Sequence, residues 1–192
     1  MSNEKGLLIV ISGPSGVGKG TVIKEIIDDP DLALSYSVSM TTREKRAGEE
    51  EGVNYYYVSR EQFEQTRDEG GLLEWTEFVG NYYGTPLAEV ERIRKEGRNV
   101  LLEIEVEGCM QVKEKVPDAL TIFIVPPSVK ELENRIRGRR TEAEEIVQQR
   151  LAKATRELEM TGQYRYVVCN DDVKLAADII RVIIRHHMER EV

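Results

Sequence analysis

The sequence is poor in the residues from which metal sites and covalent cross-links are built. Its 192 residues include two cysteines, Cys109 and Cys169, and two histidines, His186 and His187. Each cysteine lies in or beside an apolar stretch, which favours reduced thiols in the core of a cytosolic protein. The histidines are adjacent in a helical pattern without a cysteine cluster, so we expect solvated helix residues. Neither a zinc site nor a Ser-His-Asp triad is expected.

An excess of basic residues and a long apolar run are also missing. Lysine and arginine number 27 against 35 aspartates and glutamates, which gives a formal net charge of −8. A chain of this charge repels phosphodiesters, so we expect no nucleic-acid polymer as partner and a phosphate site only in a local basic pocket. The first apolar run, at 7–11, is too short for a signal peptide or a membrane span. We therefore expect a cytoplasmic protein without a membrane partner.

What the sequence does contain is an alternation of short apolar stretches and helical patterns. The apolar stretches are rich in branched residues and are typical of strands buried on both faces of a parallel sheet. They lie at 7–11, 100–104, 120–125 and 166–169. The helical patterns lie at 22–27, 86–96, 109–116, 129–137, 142–160 and 173–188, the last with Ala176, Ile179, Ile180 and Ile183 as its predicted core face. This alternation predicts an α/β fold with a doubly wound parallel sheet.

From residue 34 to residue 78 the pattern changes to short, alternating, aromatic-rich strands with turn glycines. The predicted strands here are 34–39, 53–58 and 72–78. A later stretch rich in arginine and glutamate predicts a charged helical lid. We expect a single domain, 1–192, with a core of 1–33, 86–134 and 151–192, an inserted β-rich lobe of 34–85 and a lid of 135–150.

A glycine-rich loop follows the first predicted strand and leads into the first predicted helix. Its residues are Gly13, Pro14, Ser15, Gly16, Val17, Gly18, Lys19, Gly20 and Thr21. The glycines let successive backbone N–H groups turn toward one anion, the helix N-terminus adds its positive end, and Lys19 supplies a mobile charge for the β and γ phosphates. Strand, loop and helix in this order predict an ATP site of the P-loop NTPase type.

The loop departs from the pattern G-x-x-x-x-G-K-[ST] at one position. Gly20 stands where the pattern has a hydroxyl residue, and the nearest hydroxyl is that of Thr21. Magnesium keeps several waters and is held largely by substrate phosphates, so the loss of one side-chain ligand need not abolish its binding. We expect Mg²⁺ as the cofactor and Thr21 as its candidate ligand.

A longer series of motifs closely resembles the guanylate kinase family over almost the whole chain. In order, the motifs are SVSMTTREKRAGE (37–49), Tyr55, EW (74–75), GNYYGT (80–85), LEIEVEG (102–108), PPS (126–128), RIRGRRTE (135–142) and VCNDD (168–172). Such an ordered series is far more specific than the phosphate loop alone. The resemblance implies an enzyme of purine nucleotide metabolism that phosphorylates GMP, and also dGMP, with ATP as donor, its β-rich lobe binding the monophosphate.

The resemblance also implies which residues bind the acceptor. Those expected at the GMP phosphate are Arg43, Arg46, Tyr55 and Tyr83. Those expected at the guanine and its surroundings are Ser39, Glu74, Thr85, Glu103 and Glu105. The last two stand where many family members carry aspartate, so the charge is kept on a longer side chain.

The chemistry of guanine favours a carboxylate in this role. Guanine presents adjacent N1–H and N2–H donors, and one ionised glutamate accepts both while hydroxyl groups bond O6. Adenine has no such donor pair and would leave a desolvated carboxylate without partners. A site of this kind rejects the wrong base by a factor of roughly 10⁴.

Phosphoryl transfer between two anionic nucleotides requires cations at the reacting group. Together with Lys19 and Arg43, the resemblance assigns this role to Arg135, Arg139 and Arg150 of the lid, whose planar guanidinium groups suit bidentate contacts. The acceptor oxygen belongs to a phosphate that is largely ionised at neutral pH, so no general base is needed. The resemblance further implies Asn170 as a contact to the ATP adenosine, with a loop cap as the alternative.

Two other functions fit parts of the pattern. A P-loop kinase for AMP or a sugar phosphate would share the loop and the lid but not the acceptor residues, and Glu74 distinguishes it. A non-catalytic binding module of guanylate kinase type would share the groove, but such modules usually have altered phosphate loops, whereas Gly18 and Lys19 are present here. The sequence leaves open whether the protein is a monomer or a homo-oligomer.

Overall fold

The computed structural model of the chain describes residues 5–138 and 144–189. The strands in this part are β1 (Leu8–Ser12), β2 (Leu34–Tyr36), β3 (Met40–Thr41), β4 (Tyr56–Tyr57), β5 (Leu72–Phe78), β6 (Asn81–Pro86), β7 (Asn99–Glu103), β8 (Leu120–Val125) and β9 (Tyr166–Cys169). The α-helices are α1 (Lys19–Ile26), α2 (Arg60–Asp68), α3 (Leu87–Lys95), α4 (Val106–Lys115), α5 (Val129–Arg137), α6 (Glu144–Glu159) and α7 (Val173–Met188).

A five-stranded parallel sheet with the order β2-β7-β1-β8-β9 forms the centre of the protein. Side chains of β1 alternate between its faces, as the strand period of two requires. Ile9 and Ile11 join the cluster formed with α1, α5, α6 and α7, whereas Leu8 and Val10 join the cluster formed with α3 and α4. Helices thus cover both faces, which confirms the doubly wound α/β fold predicted from the sequence.

A second sheet of four short strands, ordered β4-β3-β6-β5, lies in the aromatic-rich part of the chain. Its small core consists of Phe63, Leu72 and Tyr82. Phe63 comes from α2, a helix that we did not predict, although Ser59 and Gln62 form a capping box at its N-terminus.

The strand predicted at 34–39 is shorter than expected and lies in the other sheet. Residues Leu34–Tyr36 pair with β7, and Leu34 packs against the main hydrophobic core. That burial outweighs the alternating pattern that had grouped the strand with its neighbours in sequence. The division into core, inserted lobe and lid stays a prediction.

Four expectations about burial are wrong. Strand β9 is an edge strand, so Val167 is half exposed and the thiol of Cys169 is exposed instead of lying in the core. On α7 the face turned to the sheet contains Ala176, Ile180 and Ile184, which leaves Ile179 exposed. His187 follows Ile184 by three residues and therefore lies on the same face, buried and not solvated, with Nδ1 2.9 Å from a backbone carbonyl.

The topology determines where a site can form. The carboxyl ends of β1 and β7, which are neighbours in the sheet, lead into the glycine-rich loop and into Glu105 before α4. Open α/β sheets bind ligands at this edge. None of the helices in the described part of the chain is long and apolar enough to cross a membrane.

Candidate active site

A cavity of about 500 Å³ lies between the glycine-rich loop and the four-stranded sheet. The predicted site residues that line it are Lys19, Ser39, Arg43, Arg46, Tyr55, Glu74, Tyr83, Glu103 and Glu105. Thr85 lies behind this lining and is fully buried. The structure therefore brings the predicted donor lysine and the predicted acceptor residues together at one opening.

The side chains of Lys19 and Asn170 hold the glycine-rich loop in shape. The partly buried ammonium of Lys19 donates to the carbonyl of Gly13 at 2.6 Å. Burial lowers the pKa of Lys19, and the carboxylates of Glu103, Glu157 and Glu105 oppose this shift. Gly18 begins α1 with φ 94°, and a Cβ there would lie 2.7 Å from the side-chain nitrogen of Asn170, so only glycine fits.

Asn170 contacts the loop directly. Its side-chain nitrogen donates to the carbonyl of Val17 at 2.8 Å, and the residue is 2 % exposed. This hydrogen bond makes Asn170 a support of the loop, which agrees with the alternative role of loop cap given above. Its contact to the ATP adenosine stays a prediction.

Two of the three predicted lid arginines lie against the same loop. Nη1 of Arg135 donates to the carbonyl of Val17 in the loop at 3.4 Å and to that of Asn170 at 3.2 Å, while its Nε pairs with Glu131 at 2.9 Å. Nη2 of Arg150 donates to the hydroxyl of Ser15 at 2.7 Å. Helices α5 and α6 thus place two guanidinium groups beside the predicted phosphate site. Arg139 lies outside the described residues.

At the far end of the cavity a ring of donors holds a carboxylate that the sequence analysis gave no role. Glu49 accepts from the guanidinium of Arg43 at 2.8 Å, from the backbone N–H of Arg46 at 2.8 Å and from the hydroxyl of Tyr57 at 2.8 Å. The Arg43 guanidinium is the largest cause that lowers the pKa of Glu49 to about 2. A guanidinium with additional N–H and O–H donors is also the set that suits a phosphate.

The aromatic residues at this end surround the arginine. The guanidinium carbon of Arg43 lies 5.6 Å from the ring centroid of Tyr55, whose ring meets that of Tyr83 edge-on at 5.9 Å. Such cation–π contacts hold a cation in place while leaving its N–H groups available.

At the base of the cavity Glu74 is almost completely buried. The residue is 4 % exposed, and one carboxylate oxygen accepts from the Thr85 hydroxyl at 2.6 Å. Burial raises the pKa of Glu74, which the Thr85 hydrogen bond and the charge of Lys115 oppose. The backbone beside it is fixed by Gln111, whose side-chain amide bonds both the N–H and the carbonyl of Trp75, at 3.1 and 2.8 Å.

Glycine at position 108 is required by the Glu74 carboxylate. A Cβ on Gly108 would lie 2.4 Å from the second carboxylate oxygen of Glu74, far inside van der Waals contact. The glycine therefore lets α4 and the carboxylate approach closely.

We expect Gly108→Ala to lower the affinity for GMP by at least about tenfold, the value of one hydrogen bond to a charged group. The added methyl group displaces the Glu74 carboxylate, whereas alanine is the better helix former, so loss of the fold is not the expected cause. Calorimetric titration with GMP measures the effect. Gly162→Ala is the control, because nothing lies within 4 Å of the added atom. Unchanged affinity in Gly108→Ala would show that the position of this carboxylate is irrelevant.

The two glutamates after β7 have different partners. The hydroxyl of Tyr36 donates to Glu103 at 3.2 Å, and the ammonium of Lys153 donates to Glu105 at 2.6 Å. Glu103 also faces the loop, since a Cβ on Gly20 would lie 3.9 Å from both of its carboxylate oxygens. The carboxylate therefore lies next to the position of the missing hydroxyl.

These surroundings fit a magnesium ion that is bound mainly through nucleotide phosphates. Carboxylate oxygens are the ligands that Mg²⁺ prefers, and Glu103 supplies them beside the loop. Thr21, the candidate ligand from the sequence, is exposed in the first turn of α1. Within residues 5–138 and 144–189, no three His, Cys, Asp or Glu side chains are grouped so that they could hold a metal by themselves.

Several residues of the cavity wall were not predicted from the sequence. Those without an assigned role are Tyr36, Glu49, Thr76, Phe78, Gly84 and Ile104. Glu49 could have been found, because it closes the turn after Arg43 and Arg46 within the same motif. Phe78 could not, because only the pairing of β5 with β6 brings its ring to the opening.

Comparison with known proteins gives consistent results at the levels of family, sequence and structure. Residues 5–187 match the family model described as guanylate kinase. Curated guanylate kinases of Bacillus cereus and Bacillus anthracis are each 51% identical over 192 residues, which is 100% of this chain and 94% of theirs. A crystal structure of guanylate kinase from Anaplasma phagocytophilum is similar with a TM-score of 0.75 and 33% identity, over 96% of this chain and 87% of that one.

Proposed function

The chain belongs to the guanylate kinase family, and we infer that it transfers the γ-phosphoryl group of ATP to GMP, giving ADP and GDP. It is thus a kinase of purine nucleotide metabolism. One observation carries the inference furthest: the same cavity is lined by Lys19 of the glycine-rich loop, by the Arg43 guanidinium and by the buried Glu74 carboxylate. These groups meet the needs of a triphosphate donor, an acceptor phosphate and a guanine base.

The acceptor is bound, in this proposal, with its base toward Glu74 and its phosphate toward Arg43. The carboxylate of Glu74 accepts both guanine N–H groups, and the hydroxyl groups of Ser39 and Thr85 are proposed to take part in binding the base. The phosphate takes over the donors that hold Glu49, and Arg46, Tyr55 and Tyr83 complete its shell.

The donor is bound by the glycine-rich loop. Backbone N–H groups at the start of α1 receive the triphosphate, and Lys19 leaves the carbonyl of Gly13 to contact the β and γ phosphates. Kinases that act on ATP generally use a divalent metal, and we propose Mg²⁺ beside Glu103, with Thr21 as a further candidate ligand. When bound there, the ion would supply positive charge that offsets the negative charge of the phosphates.

Transfer itself relies on position and charge. Arg135 and Arg150 contact the loop from α5 and α6. We propose that their guanidinium groups, together with that of Arg139, bind the transferring phosphoryl group. The attacking phosphate oxygen is already largely ionised at neutral pH, so no side chain is needed as a general base. Closure of the lid after both nucleotides bind would exclude water as a competing acceptor.

The setting of the reaction is also part of the proposal. Free thiols at Cys109 and Cys169 and the use of ATP suit the reducing cytoplasm, where we place the enzyme. The substrates are small nucleotides, and the net charge of −8 disfavours a nucleic-acid polymer as a partner.

The decisive experiment measures ADP release by the purified protein with ATP and Mg²⁺, offering GMP, dGMP, AMP, CMP and UMP in separate reactions. We expect turnover with GMP and dGMP and a preference over AMP of about 10⁴-fold, because adenine leaves the Glu74 carboxylate without partners. Turnover with AMP or a pyrimidine nucleotide instead would contradict the guanine site. No turnover with any acceptor would favour the binding-module alternative.

A further inference from the structure

Lys153 extends from α6 toward the acceptor wall, by which we mean the end of the cavity lined by Glu74, Glu103 and Glu105. It belongs to none of the motifs that resemble the guanylate kinase family. Its ammonium donates to Glu105 Oε2 at 2.6 Å and lies 3.9 Å from Glu157 Oε1. It also lies 5.5 Å from the ring centroid of Phe78, at the end of β5. A single side chain on α6 thus contacts the acceptor wall and the tip of the four-stranded sheet.

This end of the cavity is rich in negative charge, which an additional cation can balance. Glu74, Glu103 and Glu105 all line the wall, and Glu157 lies behind them, 9 % exposed, with Oε2 lacking a hydrogen-bond partner among the described residues. An acceptor phosphate brings a further charge of about −1.5 to −2. Lys153 places a positive charge among these carboxylates without occupying the cavity, since it is absent from the lining.

The position of Lys153 on its helix separates its contacts from those of Arg150. Arg150, Lys153 and Glu157 follow one another at spacings of three and four residues, which places them on one face of α6. Arg150 contacts Ser15 of the donor loop, and Lys153 contacts Glu105 of the acceptor wall. Neighbouring cations on this face therefore contact different sites, Arg150 the donor loop and Lys153 the acceptor wall.

We propose that Lys153 is a positioning residue of the acceptor site: it fixes one carboxylate oxygen of Glu105 and leaves the other to face the guanine. The proposal rests on the inferred GMP kinase activity. It predicts that loss of Lys153 weakens GMP binding and leaves ATP binding unchanged. The partners of Lys153 lie at the acceptor end, whereas the donor loop is contacted by Arg150.

The test measures KM for GMP at saturating ATP, KM for ATP at saturating GMP, and the calorimetric affinity for GMP alone. We expect Lys153→Ala to raise KM for GMP and to weaken GMP binding about fivefold, a value set by the partial exposure of the ion pair. KM for ATP should stay unchanged. Lys153→Arg, which keeps the charge and the donors, should restore most of the affinity, and Lys153→Gln serves if the alanine variant proves unstable.

Two further variants separate positioning from a general structural effect. Arg156→Ala removes an exposed cation from the same helix and should change none of these constants. In a Glu105→Gln background the effect of Lys153→Ala should largely disappear, because residues that act through one another are not additive.

The possible results distinguish failure of the Lys153 proposal from failure of the inferred function. Wild-type affinity for GMP in Lys153→Ala, an equal loss for GMP and ATP, or a full effect in the Glu105→Gln background would each overturn the role of Lys153 alone. A wild-type protein that fails to phosphorylate GMP would overturn the inferred function, and this proposal with it.

Discussion

Lys19→Ala is expected to lower kcat for GMP phosphorylation by about 10³-fold, the effect of removing a preorganised cation from a developing negative charge. The ammonium of Lys19 is partly buried and is held on the Gly13 carbonyl at 2.6 Å, so it is placed before ATP arrives. Its removal leaves the β and γ phosphates with the backbone N–H groups but without a mobile charge. Single-turnover measurements of ADP formation report the chemical step directly.

The control for this variant lies on the same helix. Lys24→Ala removes an exposed lysine in the last turn of α1 and should leave kcat within about twofold, as surface substitutions usually do. Lys19→Met keeps the length of the side chain and distinguishes loss of charge from a packing defect. Turnover that survives in both Lys19 variants would show that the loop lysine takes no part in transfer.

Glu74→Gln is expected to lower kcat/KM for GMP by about 10³-fold or more, since a site built to pair with a substrate N–H group tolerates no mismatch. Glutamine has nearly the same shape and can still accept from the Thr85 hydroxyl. It offers guanine one acceptor and one N–H donor where the base presents two donors. Since the side chain is 4 % exposed, water cannot readily compensate.

Steady-state kinetics with GMP and AMP check this expectation. Glu77→Gln is the matched control, because Glu77 lies on the same strand but is exposed, and its kinetics should equal those of the wild type. The preference for GMP over AMP should fall sharply in Glu74→Gln and remain in Glu77→Gln. Unchanged GMP kinetics in Glu74→Gln would assign guanine recognition to another residue.

Local patterns allowed much of the fold to be predicted, and long-range packing accounts for the errors. Helix α7 has the predicted bounds, because its apolar period and the Asp172 cap are encoded within the segment itself. Helix α2 was not predicted, because the aromatic residues around it are typical of strands. Its capping residues Ser59 and Gln62 could nevertheless have indicated a helix start from the sequence. Strand β2 was placed in the wrong sheet because only its pairing with β7 decides between the two.

The candidate site shows the same division. Ordered motifs predicted its main side chains, and the cavity is lined by Lys19, Arg43 and Glu74 as a group. The motifs gave no role to Lys153, because a charged residue on a helix face has the same appearance in the sequence whether it is solvated or paired.

The sequence by itself determined the family and the α/β fold and predicted the residues of the donor loop and the acceptor site, because these depend on residue types in contiguous segments whose backbone geometry is local. Only the tertiary structure decided which of these groups meet. Gly108 approaches the Glu74 carboxylate through the packing of α4 on β5, and Lys153 reaches Glu105 across 48 positions of the chain through the packing of α6. Such contacts follow from how helices and strands pack over a shared core, and no pattern within a single segment encodes that packing.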